Sequence, residues 1–216
     1  MAPAPAARPF IVVLAGVNGA GKSSLGGAII EAVGLTWFNP DSHTRELIGQ
    51  LGMEPGQANA HAWQHGRELL ETAIGQGTNH AFETTLGANT IPALLATAAR
   101  THDVSMIFVG LASPEQHIER VRLRVANGGH HIPEEKIRER WTGSRANLIR
   151  LLPRLARLQV FDNSTEVRPG EDIPEPVLVL EMAGGRILHP DPADPSALAR
   201  TPDWARAIVQ AAIEST

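Results

Sequence analysis

A mostly parallel α/β fold is predicted by three observations. A continuous apolar run, Phe10-Ile-Val-Val-Leu-Ala15, leads straight into the glycine-rich stretch Gly16-Val-Asn-Gly-Ala-Gly-Lys-Ser23. Apolar runs of strand length then alternate with stretches of helical spacing as far as Phe161. The whole chain is 216 residues, the size of one such core.

Residues 1–9, rich in Pro and Ala, read as a disordered leader, and residues 10–216 as one domain. Residues 10–15 have the unbroken apolar character of a strand covered on both faces. A helix is predicted from Lys22 to Val33 and a short second strand over Leu35–Phe38. Ser42 is placed to cap the next helix, and Gly56–Ile74 repeats apolar residues at helical spacing. His80–Glu83 is the third strand, Asn89 caps a helix to Ala99, and Val104–Val109 is the fourth strand. Ser113-Pro114-Glu115 has cap, N1 proline and early acid in order, starting a helix to about Ala126. Another helix follows Ile132-Pro133 to about Leu152, and Leu158–Phe161 is the fifth strand. Val177–Glu181 and Arg186–His189 flank Met-Ala-Gly-Gly as a hairpin, and Thr201-Pro-Asp-Trp204 opens a closing helix. The nucleotide-binding core is thus expected over 10–163, with 164–216 as a hairpin-and-helix appendage.

Composition narrows the function. A net charge of −4 gives no overall polyanion-binding balance, which disfavours nucleic-acid partners. Without cysteine there are no disulfides and no thiolate metal sites, which fits a cytoplasmic protein. The apolar run at residue 10 is too short to span a membrane.

Residues 16–23 match G-x-x-x-x-G-K-[ST] at every fixed position, between a buried strand and a helix. Glycines let successive backbone N–H groups converge on phosphate oxygens, where the helix adds its positive end. Gly16, Asn18, Gly19, Ala20, Gly21, Lys22, Ser23 and Ser24 are therefore the expected nucleotide-binding residues. Lys22 is expected on the terminal phosphates, and the Ser23 hydroxyl on Mg²⁺. The predicted architecture becomes a P-loop NTPase three-layer sandwich with a mostly parallel five-stranded sheet, a helical lid near 124–140, and a C-terminal hairpin plus helix.

The loop specifies a triphosphate rather than a reaction. No Asn-Lys-x-Asp reads guanine, and no Leu-Ser-Gly-Gly-Gln marks an ABC ATPase. The strand over 104–109 also ends without an acidic metal ligand. A kinase needs an acceptor site beside the loop and arginines over the phosphoryl group. Asp41, after the second strand, can accept the proton of an attacking hydroxyl or simply cap the next helix. Arg45 lies one helical turn further on, facing the same cleft or solvent. Glu83, Thr84 and Thr85 leave the third strand where ligands bind in open α/β sheets, and they suit a sugar or a metal-bound water. Arg120, Arg122 and Arg124, then Arg138 and Arg140, flank a Gly-Gly hinge that reads as a lid. His130-His131 lacks the spaced ligands of a zinc site, and His130 reads better as a lid residue touching substrate. Trp63, Trp141 and Trp204 are expected as core anchors.

Asn39-Pro-Asp41-x-x-x-Arg45, Phe82-Glu-Thr-Thr-Leu86, Val109-Gly-Leu111 and Arg124-Val-Ala-Asn-Gly-Gly-His-His-Ile-Pro-Glu-Glu-Lys-Ile137 together resemble the zeta toxin family of P-loop kinases, in its compact branch. The resemblance continues through Arg138-x-Arg-Trp141 and Ser144-Arg-x-Asn-Leu148, and covers about seven-tenths of the chain. It implies ATP and Mg²⁺ as cofactors, and transfer to a sugar hydroxyl of a nucleotide-sugar such as a UDP-N-acetylhexosamine. It also implies Asp41 as catalytic base, Glu83 as an acceptor contact, Arg120 and Arg124 and then Arg140 as phosphate-clamping arginines, and a possible antitoxin partner. A lid position near His130 is arginine in the larger toxins, so this chain departs from them there. The competing readings are a nucleotide switch or ATPase acting through a protein partner, and a nucleic-acid end kinase.

Overall fold

The structure is a computed structural model and describes residues 7–23, 36–165 and 174–216. The leader before Ala7, the helix expected beyond Ser23, Ser24 itself, and part of the loop before residue 174 lie outside these residues.

Four strands run parallel: β1 (Phe10–Ala15), β2 (His80–Thr84), β3 (Asp103–Gly110) and β4 (Arg157–Asp162). Their side chains alternate between two apolar layers. Ile11, Val13 and Ala15 of β1, Val104, Met106 and Phe108 of β3, and Leu158 and Val160 of β4 enter the larger core. Leu14, Ile107 and Val109 face the other way, toward Trp37 and Phe161. Burial on both faces explains why these strands read as unbroken apolar runs.

Helices α1 (Pro40–Leu51) and α2 (Pro55–Gln76) lie between β1 and β2 in sequence, and α3 (Thr90–Ala98) lies between β2 and β3. The pair α4 (Pro114–Ala126) and α5 (Glu134–Leu151) separates β3 from β4. Ser113 caps α4 as its sequence predicts, its side chain accepting from the Gln116 N–H at 3.3 Å. The cap expected at Asn89 is not made: that side chain instead accepts from Arg150 Nη2 at 3.2 Å.

Three expectations about the sheet are corrected. The sheet has six strands rather than five, in the order β2-β1-β3-β4-β5-β6, where β5 is Val177–Ala183 and β6 is Arg186–His189. The hairpin expected as an appendage pairs antiparallel on the outer edge of β4, covering backbone groups that an edge would leave open. The strand expected up to Phe38 is reduced, within the described residues, to a single bridge from Phe38 to Phe82. Pairing stops there because Asn39 already caps α1 and Pro40 has no N–H to give.

A short helix α6 (Pro195–Ala199) and the closing helix α7 (Arg206–Glu214) complete the chain. Trp204, Ile208, Val209 and Ala212 belong to the main core. Trp204 packs its six-membered ring against Gly110, where an added Cβ would come within 2.3 Å of it. Trp63 departs from the core-anchor expectation: it is 44 % exposed, with the Arg67 guanidinium 5.7 Å from its ring centre. Among the described residues no helix is long and apolar enough to cross a membrane.

Candidate active site

Because β1 to β4 are parallel, the segments following each of them open on one edge of the sheet, where open α/β sheets bind ligands. The loop from Gly16 follows β1, residues 85–89 follow β2, and residues 163–165 follow β4. Residue 16 must be glycine: its φ is +140°, and a Cβ would stand 2.2 Å from the Val109 carbonyl oxygen. Backbone passing this close to β3 is what seats the loop on the sheet.

Lys22 and Glu83 form the centre of the site. They are 6 % and 7 % exposed, and Lys22 Nζ lies 3.1 Å from Glu83 Oε1. The other carboxylate oxygen, Oε2, accepts from Ser23 Oγ at 3.1 Å and from Asn39 Nδ2 at 3.1 Å. One buried carboxylate thus gathers the Walker lysine, the Walker serine and the residue that caps α1. A buried charge removed from such a group leaves its partner uncompensated, which costs about 3–5 kcal/mol.

Asn39 accepts the Ser42 N–H at 3.1 Å, so it replaces Ser42 as the cap and frees Asp41 from that role. The Asp41 carboxylate instead meets Arg124 Nη1 at 3.3 Å. Arg124 Nε and Nη2 are buried and have no hydrogen-bond partner among the described residues. His130 is drawn into the same group. Burial lowers its pKa below the usual imidazole value, Asp41 opposes that shift, and Arg124, Arg140 and Arg45 reinforce it.

The remaining candidates divide. Arg140 Nη1 donates to Asn18 Oδ1 at 2.7 Å, reaching the Walker loop itself. Arg120 Nη2 donates to the carbonyls of Asn163 (2.8 Å) and Thr165 (3.2 Å), and so holds the loop after β4. Arg45 stays exposed, bonded to the Asp41 carbonyl and Ser42 Oγ of its own helix. Thr84 and Thr85 use their hydroxyls as acceptors for the N–H groups of Leu86 and Gly87, which shapes the loop after β2. Arg122 and Arg138 pair with Glu134 and Glu115, each at 2.5 Å, across the outside of the two lid helices.

Sequence reasoning missed three structural supports of this site. Asn163 Nδ2 donates to the Ala20 carbonyl at 2.8 Å and sits where a Cβ on Gly21 would be. Asn147 Nδ2 donates to the carbonyls of Leu86 (2.7 Å) and Ala88 (3.0 Å), pinning the loop after β2 to α5. His117, 1 % exposed, contacts the Asn18 carbonyl through Nδ1 at 2.9 Å. Asn163 had one legible signal, its place just past the carboxyl end of a parallel strand. Asn147 was legible only as part of the Ser144–Leu148 segment of the resemblance, with no role attached, and His117, within a helix, had no signal.

A Walker loop after a central parallel strand, with a buried carboxylate beside it and arginine-bearing helices above, defines a P-loop kinase-type fold. The family described as Zeta toxin matches residues 2–168, and the chain belongs to that family. It is 29 % identical over 127 residues to an uncharacterised protein of Haemophilus influenzae, a match spanning 58 % of this chain and 88 % of that protein. Among solved structures, the AvrRxo1-ORF1:AvrRxo1-ORF2 complex with ATP contains a similar chain, with a TM-score of 0.61 at 16 % identity over 98 % of this chain and 77 % of that one. The PezAT toxin–antitoxin system of Streptococcus pneumoniae contains another, with a TM-score of 0.51 at 18 % identity over 74 % of this chain and 71 % of that one. At these identities the likeness is one of fold.

Proposed function

We propose that the chain is an ATP-dependent phosphotransferase that moves the γ-phosphoryl group to an alcohol on a small molecule, with nucleotide-sugars such as a UDP-N-acetylhexosamine as the acceptor class. One observation carries this reading. The Glu83 carboxylate joins Lys22 and Ser23 on one side to Asn39 on the other, and Asn39 is two residues from Asp41. Donor loop and candidate base therefore share one edge of the sheet.

In this reading the amides of residues 16–23 and Lys22 hold the β- and γ-phosphates. Asp41 accepts the hydroxyl proton as the acceptor oxygen bonds to the γ-phosphorus. The bond from that phosphorus to the β–γ bridging oxygen breaks, and ADP leaves with the electron pair. Arg124 and Arg140 face the charge that spreads over the transferring group. Ser23 Oγ and Glu83 Oε2, 3.1 Å apart, are hard oxygens of the kind Mg²⁺ takes alongside substrate phosphates, so these residues fit that ion. Mg²⁺ bound there would neutralise charge on the phosphates.

Arg120 serves the donor side by holding the loop after β4, while His130, its pKa lowered by burial, lies within electrostatic reach of Asp41 and is the lid residue offered to the substrate. Because the similar chains occur in the AvrRxo1-ORF1:AvrRxo1-ORF2 complex and the PezAT toxin–antitoxin system, a protein partner of antitoxin type belongs to the proposal. The test is ADP release from Mg·ATP with and without a panel of nucleotide-sugars. Release that rises with one acceptor, with label recovered on it, supports the reading. An equal rate with no acceptor favours the ATPase-switch alternative and sinks the kinase.

A further inference from the structure

To grip phosphate, Asn18 needs only its backbone N–H, yet its side chain is committed elsewhere. Asn18 is 6 % exposed, and its Oδ1 accepts from Arg140 Nη1 at 2.7 Å. Its carbonyl faces His117 Nδ1 at 2.9 Å. A carbonyl only accepts, so Nδ1 carries the proton. Burial pushes the His117 pKa down to about 4, which leaves the ring neutral at pH 7 and in that one tautomer. Asn18 is therefore held through its backbone from α4 and through its side chain from α5, and its amide oxygen has a defined direction.

Arg140 is confined along its whole length. A Cβ on Gly87 would come within 2.6 Å of Arg140 Cγ and 2.9 Å of its Cα and Cβ. On the next turn of α5, a Cβ on Gly143 would lie 2.5 Å from the Gly87 carbonyl oxygen. The stem of Arg140 is thus laid against the loop after β2, while its tip rests on the Walker loop.

The chemistry of the partner is the telling detail. Arg122, Arg124 and Arg138 of the same two helices each meet a carboxylate, from Glu134, Asp41 and Glu115 respectively. Arg140 is bonded to a neutral amide. It is also desolvated, since burial is the main cause that lowers its pKa, while the Asp41 charge acts on it in the opposite sense. A neutral acceptor fixes the direction of a guanidinium without cancelling its charge, and a desolvated charge held this way remains available to an anion. The group that belongs between the Walker loop and Asp41 is the terminal phosphoryl of a triphosphate.

We infer that Asn18 is a positioning residue whose side-chain amide aims Arg140 at the γ-phosphate; this rests on the reading that residues 16–23 bind a triphosphate. The residue type matters as much as the contact. An aspartate at position 18 would pair with Arg140, cancel its charge and repel the phosphate, whereas an alanine would only release it.

The test is calorimetric titration of the full chain with Mg·ADP and with the Mg²⁺ complex of the β,γ-imido analogue of ATP. The ratio of the two affinities isolates what the γ-phosphate contributes. A hydrogen bond to a charged group is worth about 1.5–3 kcal/mol, so Asn18→Ala and Arg140→Ala should each lower that ratio about tenfold or more, ADP affinity falling by less than that of the analogue. The double variant should fall no further than Arg140→Ala alone, because the two residues act as one unit. Asn18→Asp should fall further than Asn18→Ala. Thermal melting of each variant, with Asn18→Ser as a milder replacement, separates misfolding from misaiming. Equal weakening of both nucleotides by Asn18→Ala, an unchanged ratio, or additive losses in the double variant would each overturn the inference. A wild-type chain that binds neither nucleotide would instead overturn the functional reading beneath it, and the inference with it.

Discussion

On the donor side of the cleft, Asn18 and Lys22 are each 6 % exposed and Glu83 is 7 % exposed, and each is held by groups reached through the backbone of the sheet or its adjoining helices. On the acceptor side, the Asp41 and Arg124 side chains are 32 % and 37 % exposed, and their contact spans 83 residues between two helices. One half is set by strand order and a glycine loop. The other depends on where α1 and the lid helices stand relative to each other. In the proposed reading, the difference teaches that the donor half is built into the fold, whereas the acceptor half rests on a few partly exposed side chains.

Substitutions on the two sides should therefore fail in different ways. The largest expected effect is on the acceptor side, where Asp41→Asn should reduce transfer by about 10³–10⁴-fold while leaving Mg·ATP affinity nearly intact. A variant that keeps most of its activity would remove Asp41 as base. On the donor side, Lys22→Ala should lower transfer by about 10³-fold and weaken ATP binding. Because it leaves Glu83 buried without its charge partner, it should also lower stability by about 3–5 kcal/mol. The double variant Lys22→Met with Glu83→Gln should regain part of that stability in a thermal melt without regaining activity.

A pH titration of stability probes the donor side without any ligand. His117 has a pKa of about 4 in the folded chain against a usual value of 6.5, so the unfolded chain binds more protons between these values. Its contribution is fully present above pH 6.5 and is lost as pH falls toward 4, amounting to about 3 kcal/mol. In denaturant melts across that window, His117→Gln should flatten the slope. An unchanged slope would mean that the ring is not buried neutral. The smallest effect is expected at Arg120→Ala, about tenfold in turnover with a lesser change in ATP affinity. Its guanidinium donates to two carbonyls of the loop after β4 and so supports the site through that loop. A loss confined to ATP affinity would make it purely a donor-binding support.

What was legible in the sequence follows the same division. The Walker loop, its preceding strand and most later elements up to β4 were readable, because spacing and apolar runs encode them locally; the second strand was not, being reduced among the described residues to one bridge at Phe38. Glu83 was readable as a candidate site residue, yet its bonds to Lys22, Ser23 and Asn39 were not, since they join residues far apart in the sequence, Ser23 and Glu83 by 60 positions. Asp41 was legible only with its alternative role as a helix cap, and the neighbouring Asn39 takes that role through a side-chain geometry that composition does not reveal. The hairpin was seen as a hairpin, but its pairing onto β4 depends on a free sheet edge that only three dimensions show. His117 lay within a helix of ordinary composition, Asn147 stood in a motif that carried no role for it, and only the loops they hold give them meaning.

The central claim is that residues 16–23, with Lys22, hold a polyphosphate. Its most direct test is a calorimetric titration of wild type and Lys22→Ala with the Mg²⁺ complex of the β,γ-imido ATP analogue. Saturable one-to-one binding in the wild type, largely lost in a Lys22→Ala variant that is still folded, is the expected result. No heat from the wild type with either an adenine or a guanine triphosphate, or the same affinity in both proteins, would contradict it.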